Sequence, residues 1–76
     1  MSSKYSKRLQ AVKLNIAYYR KLKGLTQEQL AMKINISRTQ LSNIEAPNMK
    51  HGVHLEILFA IADTLDVDVA KLLEVR

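Results

Sequence analysis

Arg38, Thr39, Gln40, Ser42 and Asn43 lie in one short stretch with no acid before Glu45. Arg, Gln and Asn carry forked donors and acceptors that match guanine and adenine edges, and a Thr methyl packs on the thymine methyl. This is the chemistry of recognition, not of bond making. To act together these side chains must share one face of a rigid element. Leu41 and Ile44, three residues apart, supply the apolar side of a helix that would turn Arg38, Thr39, Gln40, Ser42 and Asn43 outward.

The elements around that stretch are well marked. Thr26-x-x-Gln29 and Ser37-x-x-Gln40 both fit the capping box, in which a hydroxyl accepts from the third helical N–H and the Gln reaches back. Helices over 27–34 and 38–45 leave only Asn35, Ile36 and Ser37 for a turn. Such a helix-turn-helix can present its second helix to the DNA major groove. Ahead of it, Leu9, Val12, Ile16 and Tyr19 form the stripe of a helix over 6–23, with Tyr18 at its rim and Gly24 as its left-handed stop. After it, Pro47 forbids continuation, and a loop over 46–53 holds Asn48, Lys50, His51 and Gly52. A fourth helix over 55–65 is apolar at Leu55, Leu58, Ile61, Ala62 and Leu65 but lacks a strong N-cap. Asp68 then caps a short fifth helix carrying Val69, Leu72 and Leu73. The expected fold is all-α, with no strand and no internal repeat.

At 76 residues the chain reads as one domain, near the lower end of what a core can hold without staples. It has no Cys, which excludes disulfides and suits a reducing, cytoplasmic setting, to which a DNA-binding role would add association with the nucleoid. No apolar run is long enough for a membrane span, and the basic start MSSKYSKRLQ has no apolar signal region behind it. Charge is polarised. Residues 1–38 hold nine Lys/Arg against one acid, whereas residues 39–76 hold three against six, for a net +5. The N-terminal half is therefore attracted to polyanions.

The stretch Arg20-x-x-x-Gly24-Leu25-Thr26-Gln27-x-x-Leu30-Ala31, followed by Ile34, Asn35, Ser37, Leu41, Ile44 and Glu45, resembles the phage-repressor/Cro (XRE) helix-turn-helix family. Leu55-Glu56-x-Leu58-x-x-Ile61-Ala62-x-x-Leu65-x-Val67-Asp68 with Leu72-Leu73 resembles that family's last two helices, so the likeness covers roughly residues 12–73. It implies a compact five-helix, lambda-repressor-like bundle acting as a homodimeric, sequence-specific regulator on a palindromic operator. In it Arg38, Thr39, Gln40 and Asn43 would touch bases, and Thr26, Gln27, Ser37, Lys50 and His51 the DNA backbone. Arg20 and Glu45 would form a structural ion pair. The chain departs from the family pattern in three places. Asn35 stands where Gly is usual, Ala46-Pro47-Asn48 stands where Asn-Gly is common, and the first helix begins about a turn early. Asn is the next-best residue for a positive φ, so the turn is expected to survive.

Other classes fare worse. With only Gly24 and Gly52 there is no glycine-rich phosphate loop, and no Ser/His/Asp spacing suggests a triad, so no enzyme, cofactor or small-molecule substrate is expected. His51 and His54 without Cys or an acid pair make a poor metal set, and no metal is expected. A basic amphipathic helix over 4–23 docking on a membrane would not need the patterned segment from Leu25 to Leu73. The alternative that survives is a helix-turn-helix protein-interaction module, such as an antitoxin gripping its toxin. Ile57 and Phe59, apolar outside the fourth helix's stripe, join Leu73 and Val75 as candidates for a dimer interface.

Overall fold

The computed structural model describes residues 4–75. Five helices follow in order: α1 (Ser6–Leu22), α2 (Gln27–Lys33), α3 (Arg38–Glu45), α4 (Leu55–Leu65) and α5 (Val69–Leu73). Each differs from the sequence reading by no more than a residue or so at its ends, and among the described residues there is no strand.

The helix ends show why the chain bends where it does. Gly24 sits at φ 80°, its N–H donates to the Lys21 carbonyl, and the Leu25 N–H donates to Arg20. This paired closure satisfies the last carbonyls of α1. Asn35 repeats it after α2 at φ 61°, with its own N–H on Met32 O and the Ile36 N–H on Ala31 O. The turn is therefore made with Asn35 in the left-handed conformation, as expected. Asp66 takes the same left-handed conformation after α4, a role the sequence reading did not give it. At the starts, Thr26 and Gln29 complete a reciprocal capping box, and Asp68 Oδ1 accepts from the Ala70 N–H. The first turn of α4 has no side-chain cap, as expected.

Ile16, Leu30, Ala31, Leu41, Ile44, Leu58, Ile61, Ala62, Leu65 and Leu72 form one core drawn from every helix. Val12 and Tyr19 pack on it from α1. Two positions on α4 exchange roles relative to the sequence pattern. Leu55 is 67% exposed, whereas Ile57 packs against the core. They lie on opposite edges of the Leu58/Ile61/Leu65 stripe, and the Ile57 edge is the one that finds cover. Asn15, buried on α1, donates from Nδ2 to Leu72 O at 3.1 Å and Glu74 O at 2.7 Å, which ties the end of α5 to α1.

Candidate nucleic-acid interface

The second helix of the helix-turn-helix is fixed from beneath at its C-terminal end by two charged groups. Arg20 grips Glu45 with two parallel bonds, Nε to Oε2 at 2.7 Å and Nη2 to Oε1 at 3.0 Å, while Nη1 donates to Leu25 O at 2.7 Å. Both side chains are almost fully covered, so this is the forked, desolvated pairing in which Arg cannot be exchanged for Lys. The ion pair that the resemblance implied is present. The second group was missed. Lys13 is fully buried and donates from Nζ to Asn43 O at 2.9 Å and Ile44 O at 3.0 Å. It satisfies two orphan carbonyls at the end of α3 and sets a cation where the helix dipole is negative. Its signal lay in spacing: position 13 falls four residues after Leu9, three before Ile16 and seven before Arg20, on the inward face.

Removing that lysine gives a measurable prediction. Lys13→Met strands two carbonyl acceptors and is expected to destabilise the fold by about 1–3 kcal/mol in urea unfolding near neutral pH. Burial lowers the Lys13 pKa from its ordinary 10.5. Just below 10.5 the unfolded chain therefore binds more protons at this site than the folded one. Wild-type stability should rise with pH across that window relative to Lys13→Met. Parallel pH profiles for the two proteins would refute the assignment.

The outward face of α3 is as polar as its sequence suggests, with two corrections. Arg38, Thr39 and Gln40 are exposed, but Ser42 and Asn43 are only half-exposed. Asn43 instead lines a groove with Ser37, Thr39, Gln40, His51, Gly52, His54 and Ile57, so the loop after α3 forms the groove's other wall. The second capping box is only half made. Ser37 Oγ accepts from the Gln40 N–H at 3.0 Å, and the Gln40 side chain makes no return bond. Its amide is left for another partner, which removes the competition between capping and recognition.

The residues expected on the DNA backbone lie near the two ends of α3. At its start a shallow hollow is lined by Arg20, Thr26, Gln27, Glu28, Gln29 and Arg38. There the Thr26 hydroxyl accepts from the Gln29 N–H at 3.1 Å and keeps its own proton for donation, as Ser37 does at the start of α3. Gln27 is more committed than expected, because its Nε2 donates to Glu45 Oε1 at 3.0 Å. Its side chain belongs first to the ion-pair cluster, and one amide hydrogen remains. Past its C-terminal end, exposed Lys50 lines a cleft with Pro47, Met49, Tyr5 and Leu9, while His51 faces the groove with Asn43.

Of the four dimer candidates, Ile57 does not join an exposed face. Ile57 is half-buried against the core and walls the α3 groove, which takes it out of any exposed patch. Phe59, Leu73 and Val75 are exposed, and Leu55 joins Phe59 at an i, i+4 spacing on α4. Among the described residues no three side chains are placed to hold a metal ion, and no helix is long and apolar enough to cross a membrane.

A family model described as helix-turn-helix matches residues 16–72. Two solved structures share the architecture. One is the master regulator for biofilm formation SinR in complex with DNA, 33% identical, covering 83% of this chain and 98% of its own, with a TM-score of 0.75. The other is a hypothetical transcription factor, NHTF from Neisseria, 30% identical, covering 91% of this chain and 78% of its own, with a TM-score of 0.76. A comparison with curated proteins gives no match.

Proposed function

The chain belongs to the XRE-type helix-turn-helix family, and from that premise we propose that it is a sequence-specific, double-stranded DNA-binding transcriptional regulator acting as a homodimer on a palindromic operator. The observation that carries the reading is the α3 face. Arg38, Thr39 and Gln40 stand exposed at its start, Asn43 lines the adjoining groove, and Lys13 with Arg20–Glu45 fixes the end beneath them. In the docking geometry of this motif the first residues of the recognition helix meet base edges and the preceding helix crosses the backbone. Arg38 then reaches guanine or a nearby phosphate, Thr39 a thymine methyl, and Gln40 or Asn43 an adenine. Thr26, Gln27, Ser37, Lys50 and His51 hold the sugar–phosphate backbone and carry no sequence information. SinR, a relative of the same fold at 33% identity, was solved on DNA. The mechanism is steric: a bound dimer occupies a promoter-proximal site, and no bond is made or broken.

Titrating duplex DNA at several salt concentrations tests the class of function. Binding should weaken linearly in log–log form as salt rises, with a slope set by the phosphates neutralised. Affinity for duplex that is absent, or indifferent to salt, refutes it. The dimer rests on Phe59, Leu73 and Val75, with Leu55 now in the place of Ile57. Phe59→Glu should shift sedimentation at high micromolar protein from dimer to monomer, and a variant that still dimerises would exclude this face. Two-fold binding also requires half-sites about one helical turn, roughly 10 bp, apart.

A further inference from the structure

We propose that the start of α1 is a second clamp on the DNA backbone, in which Lys4 and Arg8, together with Lys50, hold phosphates of the duplex beside each half-site. The inference rests on the DNA-binding reading above and adds to it a surface outside the helix-turn-helix.

Continuity with the reading face is the first support. The loop between α3 and α4 turns His51, Gly52 and His54 into the groove of Thr39, Gln40 and Asn43. Its preceding residues, Pro47 to Lys50, form one wall of a cleft whose other wall is Tyr5 with Ser6, Leu9 and Gln10 of α1. Gln10 Nε2 donates to Pro47 O at 3.4 Å across it. The early turn of α1 thus lies beside the loop that carries Lys50, past the C-terminal end of α3, whereas the hollow at Thr26 and Gln27 includes Arg38 at its start. A recognition helix seated in the major groove has a phosphate strand on each side of it, and the cleft at the start of α1 adjoins the loop that holds that backbone through Lys50.

Charge is the second support. Lys4 Nζ stands 5.4 Å and the Arg8 guanidinium 5.6 Å from the centre of the Tyr5 ring, so one aromatic side chain gathers both cations at the mouth of the cleft that Lys50 also lines. The first turn of α1 holds no acid and no side-chain cap. Cations at a helix N-terminus oppose the helix dipole, and here no carboxylate offsets them. That is a local cost to folding, of the kind accepted where a site serves binding instead. A polyanion laid across the turn relieves it. Lys7, exposed on the same turn, adds to the field.

The test compares two double variants of the whole chain on the selected operator and on unrelated duplex. Lys4→Gln/Arg8→Gln removes the proposed clamp, and Lys21→Gln/Lys23→Gln removes equal charge from the far end of α1. The clamp variant should lower the salt slope by about four per bound dimer, about two for each half-site, on both duplexes. Its deficit against wild type should therefore shrink about a hundredfold between about 50 mM and about 200 mM salt. Base preference should stay unchanged and the melting temperature no lower than wild type. The far-end variant should keep the wild-type slope. Ethylation interference should lose the outermost phosphates in the clamp variant alone. A clamp variant with the wild-type slope, or a far-end variant that loses as much, overturns the proposal while leaving the DNA-binding reading in place. A wild-type chain without salt-dependent duplex binding overturns both.

Discussion

Glu45→Ala is expected to leave little folded protein at physiological temperature. The carboxylate accepts from Arg20 Nε, Arg20 Nη2 and Gln27 Nε2, and the ion pair is shut away from water. Deleting it strands a guanidinium in the interior with only the Leu25 carbonyl left to hold it. Breaking a buried pair from one side costs about 3–5 kcal/mol, against a total stability of about 5–15 kcal/mol for a domain. A domain this small sits toward the bottom of that range. Thermal and urea melts followed by circular dichroism give the answer. Arg20→Met/Glu45→Leu should recover much of the loss, because an apolar pair of similar volume carries no stranded charge. If Glu45→Ala melts at the wild-type temperature, the pair does not hold α3 in place.

Most helix boundaries were legible because they are written in short-range chemistry. Thr26 with Gln29, Ser37 and Asp68 satisfy N–H groups within their own first turns, and Gly24 and Asn35 close the turns after α1 and α2. The Arg20–Glu45 pair was legible only through the family likeness, since nothing local relates residues 25 positions apart. Lys13 was not legible as a structural cation. In the sequence it is one of nine bases in a basic half, and its burial depends on where the end of α3 comes to rest. The exchange of Leu55 and Ile57 has a similar origin. Period alone makes them opposite edges of one stripe, and only the neighbour packed on one edge decides which is covered. Within the site, the sequence placed the polar residues on α3. It did not show that Gln40 is released from its cap or that Gln27 is tied to Glu45.

The other large effect is expected at the reading face. Gln40→Ala and Asn43→Ala should each cost about 1–3 kcal/mol on the preferred operator and relax the preference at one base position per half-site. Neither side chain holds the fold. The amide of Gln40 makes no cap bond, and the tie of Asn43 to Lys13 runs through its main-chain carbonyl, which alanine keeps. Lys50→Ala should behave differently, weakening all duplexes about equally and lowering the salt slope by about one for each half-site, about two for the bound dimer.

In vitro selection of bound DNA, run in parallel with the wild-type chain and with Asn43→Ala, tests most directly whether α3 reads bases. The wild type should yield a palindrome with half-sites centred about one helical turn apart, and Asn43→Ala should yield the same palindrome degenerate at one symmetric pair of positions. An identical, equally sharp motif from both proteins, bound with equal affinity, would contradict the account.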